Sequence, residues 1–163
     1  MIKFPMKGSE SRIKLRKAHP SDVPFIHRLL QEGSKHGFLL PRSLSDLYER
    51  VRDFWVGETE GEIVAACGFH PVWEDLAEVR SLVVKKEYQG KGWGEKLLRK
   101  GEDELRHLGI KKVFLLTAIP EYFEKLGYRK VCKESLPHKV WKDCLNCPHF
   151  PNCTEEALIK ELR

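Results

Sequence analysis

The chain has 163 residues, of which 41% are apolar and 33% are charged, and its 29 Lys and Arg outnumber its 24 Asp and Glu by five. This length and composition predict one globular domain without a membrane span or a secretory signal peptide, because no apolar run is long enough for either. The N-terminus lacks the apolar stretch of a signal peptide, which favours a cytoplasmic protein. The cations are interspersed with acidic residues, which argues against a nucleic-acid-binding face, and the mild positive charge suits an anionic cofactor and an acidic substrate.

The first half of the chain predicts a strand, two helices and a hairpin, after a loose arm at residues 1–10. Pro20-Ser21-Asp22 is a helix-start signal, and Ser43 or Ser45 is the predicted cap of the second helix. The turn Glu60-Gly61 joins the two strands of the hairpin. In chain order these elements are predicted at residues 12–16 (strand), 23–32 (helix), 43–53 (helix), 54–59 (strand) and 62–69 (strand).

The second half alternates strands and helices. Gly109 stands where the longest helix is expected to end, and Thr154 followed by two glutamates predicts a last short helix. The elements are predicted at residues 78–84 (strand), 93–108 (helix), 111–117 (strand), 120–127 (helix), 128–132 (strand) and 154–162 (helix). Residues 11–163 are therefore expected to form a single domain that ends in a cysteine-containing tail, residues 143–163.

A glycine-rich turn joins the central strand to the longest helix, with glycines at positions 90, 92 and 94. Glycines allow positive φ and a close approach of the backbone to a ligand. The first N–H groups of the helix carry partial positive charge and have no partner within it. The unit therefore predicts a phosphate-binding turn, with a plain tight turn as the alternative.

The residue pattern of this turn is typical of one protein family. Gln89-Gly90-Lys91-Gly92-Trp93-Gly94 has neither the dinucleotide-binding nor the Walker spacing. It resembles the Gln/Arg-x-x-Gly-x-Gly/Ala loop with which the GNAT N-acetyltransferase superfamily holds the pyrophosphate of acetyl-CoA. Tyr122-Phe-Glu-Lys-Leu-Gly-Tyr128 resembles a second motif of that superfamily. The resemblance implies the GNAT fold, an α/β (α+β) architecture in which helices flank a central, mixed, mostly antiparallel and splayed sheet.

The same resemblance implies how acetyl-CoA is bound. Backbone groups of the central strand would pair with the pantetheine arm, and one N–H of that strand would face the oxyanion. Phe123 occupies the position where many members carry a tyrosine that protonates the leaving thiolate, so solvent would serve as the acid here. The predicted cofactor-binding residues are Leu82, Val83, Val84, Gln89, Gly90, Lys91, Gly92, Trp93, Gly94 and Phe123.

Charged and polar side chains near the predicted acetyl-CoA site are the candidates for the catalytic base and for substrate binding. Glu78, at the start of the central strand, is the candidate base that takes a proton from the substrate ammonium, with a surface ion pair as the alternative. The cations suit an α-amino dicarboxylate, because each carboxylate needs a clamp. The predicted substrate-binding residues are Arg42, Ser43, Arg80, Ser81 and Lys139.

Three further segments, residues 39–43, 73–82 and 136–141, resemble the short, single-domain N-acetylglutamate synthases, which catalyse the first step of arginine biosynthesis. The resemblance implies that the α-amine of L-glutamate is acetylated from acetyl-CoA, with glutamine as a further substrate to consider. The alternatives are a GNAT enzyme for another amine and a non-catalytic acetyl-CoA-binding module. A homodimer is the oligomeric state that the superfamily suggests.

The C-terminal tail carries Cys144, Cys147 and Cys153. This spacing in a cytosolic chain suggests metal before disulfide, and His149 or His138 could complete a tetrahedral zinc site. Reduced or partly bridged cysteines that tie down the tail are the alternative. Cys67 and Cys132 fall in predicted strands and are expected in the core.

Overall fold

The computed structural model of the chain describes residues 12–35, 42–136 and 155–163. Within these ranges, no helix has the length and apolar character needed to cross a membrane. The helices and strands are β1 Lys14–Lys17, α1 Val23–Lys35, α2 Leu44–Glu49, β2 Phe54–Thr59, β3 Glu62–Pro71, β4 Leu76–Val84, α3 Trp93–His107, β5 Lys112–Thr117, α4 Pro120–Glu124, β6 Arg129–Val131 and β7 Glu156–Glu161.

The strands form one seven-stranded sheet in the order β1-β2-β3-β4-β5-β7-β6. β4 and β5 are parallel, whereas the pairs β1–β2, β5–β7 and β6–β7 are antiparallel. A parallel pair needs a crossover connection, which α3 provides between β4 and β5. The sheet is therefore mixed and mostly antiparallel, and helices connect several of its strands along the chain. The predicted fold class is confirmed.

The prediction of a C-terminal helix at residues 154–162 was wrong. Glu156–Glu161 is strand β7, which lies between β5 and β6 and pairs with β5 from Lys112↔Glu161 to Thr117↔Glu156. Ala157 and Leu158, on opposite faces of β7, are both buried. The acidic helix-start signal is local and weak, and pairing on both edges together with burial on both faces outweighs it.

The two cysteines that precede the tail have different surroundings. Cys67 on β3 is fully buried, as predicted. Cys132 is exposed, so its predicted place in the core was wrong. The reason is that β6 ends at Val131 and the chain turns into a 3₁₀ turn at Lys133–Ser135, which leaves Cys132 beyond the sheet.

The described residues pack as two compact units, one containing residues up to Cys67 together with Ser81–Gly101, the other containing Gly68–Arg80 and the residues from Glu102 onward. The core of the first unit consists of apolar side chains of α1, α2 and the hairpin, among them Val23, Ile26, Leu30, Leu47 and Val56. The core of the second unit contains Leu76, Phe114, Leu136 and Ala157. The single domain over residues 11–163 stays a prediction.

A buried ion pair fixes the start of α1 in the first unit. The Asp22 carboxylate accepts hydrogen bonds from Arg16 Nη1 at 2.7 Å and Arg16 Nη2 at 3.0 Å, and from the backbone N–H of His19 at 2.7 Å. Arg16 also donates to Glu58 at 2.8 Å. The guanidinium of Arg16, helped by the His19 amide, holds the pKa of Asp22 below its ordinary value although burial opposes this.

This pair makes stability depend on pH. Because the folded pKa of Asp22 is lowered, its contribution is fully present above the ordinary aspartate pKa of about 4 and is lost as the pH falls through the folded value. We expect Asp22→Asn to cost about 2–3 kcal/mol at pH 7, since charge-assisted hydrogen bonds to a buried group are lost. Urea unfolding should show that the difference in free energy of unfolding between the variant and the wild type becomes smaller below pH 4. Glu58→Gln, at the more exposed partner, is the control and should cost less; equal losses at pH 7 and pH 3 would contradict the assignment.

Candidate active site

Glu78 lies on β4 of the second unit and is buried. It accepts a hydrogen bond from Arg80, two residues along the strand and on the same face, whose side chain is only 8% exposed. Within this unit the parallel register of β4 and β5 runs from Leu76↔Lys112 to Glu78↔Phe114 and ends there. Two predicted site residues are therefore adjacent, and the carboxylate lies at the last position at which β4 pairs with β5.

Glu78 supplies the carboxylate that a general base requires, and it lies away from bulk water. The hydrogen bond from Arg80 compensates for the loss of water around the charge. A guanidinium beside the carboxylate also provides a cation at the point where an ammonium group would be deprotonated. The arrangement fits the predicted general base, whose role stays a prediction.

β4 changes conformation immediately after this pair. Ser81 has a φ of 58°, in the left-handed region that non-glycine residues rarely adopt. Such a residue breaks the regular alternation of a strand. Ser81 and Leu82 are half-buried in succession, followed by buried Val83 and half-buried Val84, all in the first unit. The backbone of Leu82 to Val84, predicted to contact pantetheine, therefore follows a local bend of the strand.

The glycine-rich turn has the conformation that an anion-binding role requires. Gly90 has φ 76° and Gly92 has φ 83°, and a Cβ added at either would have no heavy atom within 4 Å. The N–H of Lys96 donates to the Gly92 carbonyl at 3.1 Å. The N–H groups of the three residues before Lys96 precede this first helical bond and have no acceptor within the helix. The open glycine turn therefore directly precedes the positive end of α3, which is an arrangement that suits a phosphate.

The other predicted cofactor-binding residues of this turn have contacts of their own. Gln89 donates from its side-chain amide to the carbonyl of Val84 at 2.8 Å, which joins the turn to the end of β4. Lys91 is exposed, and the ammonium of Lys96 lies 4.4 Å from the ring centre of Trp93. The Glu62 carboxylate raises the pKa of Lys85 just before the turn. Lys91 and Lys96 therefore place cations next to the N-terminus of α3 in the sequence, whereas the charge of Lys85 is paired with Glu62.

The predicted substrate residues Arg42 and Ser43 precede α2 in the first unit. Ser43 caps the helix, because its hydroxyl accepts a hydrogen bond from the N–H of Asp46 at 3.1 Å. Arg42 Nη1 lies 3.8 Å from the Asp46 carboxylate, which is also held by Arg50 at 3.2 Å. Arg42 Nε is buried and has no hydrogen-bond partner among the described residues. Ser43 is thus already used for capping, whereas Arg42 retains a donor that suits a carboxylate.

Four predicted site residues lie outside the described residues, namely Lys139, Cys144, Cys147 and Cys153. In the part of the chain that the structure does describe, no group of three or more His, Cys, Asp and Glu side chains is placed to hold a metal ion. The zinc site stays a prediction.

The second motif packs through its aromatic side chains in the second unit. Phe123 is buried on α4 and meets the rings of Tyr122 and Tyr128 edge-on, at centroid distances of 5.0 and 5.8 Å. Phe123 carries no titratable group, so it supplies no proton to a leaving thiolate. Its predicted contact with the cofactor stays a prediction.

Sequence reasoning missed a buried ion pair beside this motif, between Glu102 on α3 and Lys160 on β7. Glu102 is 1% exposed. A signal was present, because Glu102 lies four residues after Leu98 and three before Leu105, on the apolar face of the helix. A charge on such a face must have a partner, although the partner itself could not be read locally.

Comparison with known proteins identifies related sequences over most of the chain. The sequence model of the acetyltransferase (GNAT) family matches residues 23–128. An uncharacterised N-acetyltransferase of Chlorobaculum tepidum is 36% identical over 148 residues, which are 91% of this chain and 96% of that protein. An amino-acid acetyltransferase of Mycobacterium tuberculosis is 33% identical over 125 residues, which are 75% of this chain and 71% of that protein.

A solved structure resembles the fold over nearly the whole chain. N-acetylglutamate synthase from Neisseria gonorrhoeae, complexed with coenzyme A and N-acetyl-glutamate, matches with a TM-score of 0.85 at 27% sequence identity. The match covers 95% of this chain and 36% of the Neisseria protein, so the chain spans about a third of that enzyme. The similarity therefore concerns one part of a longer protein.

Proposed function

This chain belongs to the GNAT family of acetyltransferases, and from that premise we propose that it transfers the acetyl group of acetyl-CoA to the α-amine of L-glutamate. The products are N-acetyl-L-glutamate and CoA, which would make the reaction the first step of arginine biosynthesis in the cytoplasm. The observation that carries the substrate assignment is the likeness to the Neisseria synthase bound to CoA and N-acetyl-glutamate. The amino-acid acetyltransferases among its relatives support the same assignment.

The cofactor is held by backbone groups in this proposal. The amides around Gly90, Gly92 and Gly94 bind the diphosphate, and the backbone of Leu82, Val83 and Val84 pairs with the pantetheine arm. The diphosphate contact is supported by the open turn with positive φ at the N-terminus of α3. Acetyl-CoA already contains an activated acyl group, so the reaction requires no protein nucleophile.

Glu78 starts the chemistry by taking a proton from the substrate ammonium, directly or through a water molecule. The neutral amine attacks the thioester carbonyl, and a backbone N–H of β4 stabilises the oxyanion that forms. The carbon–sulfur bond then breaks, and solvent protonates the CoA thiolate, since Phe123 has no proton to give. The buried position of Glu78 beside Arg80 supports this role.

The carboxylates of glutamate are recognised by cations. The α-carboxylate and the α-amine of glutamate are attached to the same carbon, so the α-carboxylate lies close to the base that deprotonates the amine. Arg80, which is hydrogen-bonded to Glu78, is therefore suited to bind the α-carboxylate. Arg42 contributes a second carboxylate contact, supported by its buried Nε, which has no hydrogen-bond partner among the described residues. Ser43, Ser81 and Lys139 complete the proposed set. A polyamine site would instead be lined by carboxylates, which argues against that alternative.

The test is an assay of thiol release with acetyl-CoA and L-glutamate, L-glutamine and spermidine. We expect turnover of glutamate, and we expect Arg80→Ala to raise the glutamate KM about 10- to 100-fold, because charge-assisted hydrogen bonds worth about 1.5–3 kcal/mol are lost. Arg99→Ala, at an arginine of α3 that is 65% exposed and paired with Glu95, is the matched control. No release with any amine would favour the acetyl-CoA-binding module, and an unchanged KM in Arg80→Ala would exclude this arginine as a clamp.

A further inference from the structure

The ion pair of Glu102 and Lys160 forms the centre of a buried network, here called the Lys160 network, with Tyr128 and the carbonyl of Leu126. Lys160 Nζ donates to Glu102 Oε2 at 2.9 Å and Oε1 at 3.1 Å, and to the Leu126 carbonyl at 3.0 Å. The Tyr128 hydroxyl donates to Glu102 Oε1 at 2.9 Å. All three ammonium protons thus have acceptors, and the Glu102 carboxylate accepts three hydrogen bonds.

The contact with Leu126 lies at the end of α4. This helix has only five residues, Pro120–Glu124, too few to be stable by its own hydrogen bonds. The carbonyls of its last turn accept backbone N–H groups of the residues that follow the helix. The Leu126 carbonyl lies just beyond the helix, where a lysine ammonium is also favourable for the helix dipole. The ammonium of Lys160 therefore holds the turn that follows α4.

Gly127 makes this approach of Lys160 sterically feasible. Its φ is 97°, in the left-handed region, and an added Cβ would lie 3.4 Å from Lys160 Cε. The N–H groups of Leu126 and Tyr128 both donate to the Phe123 carbonyl, at 2.9 and 3.1 Å. The turn that follows α4 is thus folded back on the backbone of Phe123 and is held from the other side by Lys160.

Phe123 is linked to the network through its ring as well. The ring meets that of Tyr128 edge-on, and the hydroxyl of Tyr128 is fixed by Glu102. The ammonium of Lys160 lies 5.4 Å from the centre of the same Tyr128 ring. Both the backbone carbonyl and the side chain of Phe123 are therefore positioned by groups that Lys160 or Glu102 holds.

We propose that Lys160 is a positioning residue for the cofactor, which it affects by fixing the end of α4 and hence the orientation of Phe123. This inference rests on the proposed function and on the predicted contact of Phe123 with acetyl-CoA. Among the described residues the ammonium of Lys160 donates to Glu102 and to the Leu126 carbonyl, and it acts on the reaction through these groups. Removal of the ammonium should weaken CoA binding and leave the recognition of glutamate unchanged.

The experiment compares Lys160→Met with the double variant Glu102→Gln/Lys160→Met. We expect the single variant to raise the Kd for CoA about tenfold, measured by calorimetry, with the glutamate KM within twofold of the wild type. The double variant removes the unpaired buried carboxylate and should recover thermal stability. Its Kd for CoA should stay raised, because Leu126 still lacks its donor. Recovery of both quantities together would show that Lys160 serves stability alone and would overturn the proposal.

Two further measurements make the result specific. In a Phe123→Leu background the effect of Lys160→Met on CoA binding should shrink to less than twofold, since the two residues act in series; additive effects would overturn the proposal. Lys130→Met is the matched control, because Lys130 pairs with Glu156 on the neighbouring strand but is 53% exposed. CoA binding is read without an amine, so failure of the proposed glutamate reaction would not be confused with failure of this inference.

Discussion

We expect the Glu78→Gln variant to lose between about a hundredfold and ten-thousandfold in kcat, the range that a positioned general base contributes. Glutamine is nearly isosteric and keeps an oxygen that can accept the hydrogen bond from Arg80, but it cannot take a proton. The variant can acetylate only substrate molecules that are already deprotonated. Its kcat/KM should therefore rise tenfold per pH unit up to the pKa of the amine, as measured by thiol release from pH 6 to 10.

The matched control for this variant is Glu62→Gln. Glu62 forms an ion pair with Lys85 on the solvent side of β3, so the substitution removes a carboxylate from an ion pair at a place without a proposed chemical role. Its kcat should stay within twofold of the wild type. If Glu78→Gln retained more than a third of the wild-type kcat at pH 7, the carboxylate would be a structural partner of Arg80, and another group would have to deprotonate the amine.

The second large effect is expected from alanine at both turn glycines, Gly90→Ala/Gly92→Ala. The left-handed conformation costs alanine about 1–2 kcal/mol at each site, so the turn should relax to negative φ and redirect its N–H groups. An added Cβ contacts nothing within 4 Å at either site, so the fold itself should survive. We expect the Kd for CoA to rise at least a hundredfold, measured by calorimetry on the folded variant.

Gly61 and Gly109 provide an unusually close control for this double variant. Gly61 has the same φ of 76° as Gly90, Gly109 has 86° against 83° for Gly92, and neither would bring a Cβ within 4 Å of a neighbour. Gly61→Ala/Gly109→Ala should therefore suffer a similar loss of thermal stability with CoA affinity unchanged. Equal losses of CoA affinity in both double variants would mean that backbone strain acts through general destabilisation, and the phosphate-binding role of the turn would have to be abandoned.

The parts of the fold that were predictable are those with a local cause. The strand, glycine-rich turn and helix from residue 78 to residue 107 follow from alternation, positive-φ residues and helical periodicity, all of which act within a few residues. β7 was not predictable in this way, because the conformation of Glu156–Glu161 is decided by β5 and β6, which are distant in sequence. A short segment that has both a helix-start signal and β-compatible residues adopts the structure that its tertiary neighbours favour.

In the candidate site, too, the features with a local cause were predictable and those that depend on tertiary structure were not. The conformations of Gly90 and Gly92 were predictable because glycine is the residue that positive φ favours. The left-handed Ser81 was not, since nothing in its neighbours signals that a serine within a strand adopts φ 58°. The partner of Glu102 was equally out of reach, because Lys160 is 58 residues away and meets it only when β7 enters the sheet.

The position of β7 also sets the order in which the second unit can be completed during synthesis. β6 pairs with β7 and β7 pairs with β5, so the ribosome must add residues 156–161 before β6 has a neighbour on the sheet. Until then the hydrogen-bonding edge of β5, a strand with the apolar residues Phe114 and Leu115, remains open to other chains. We expect nascent molecules that pause before this point to expose this edge, because pairing between strands that are distant in sequence forms late.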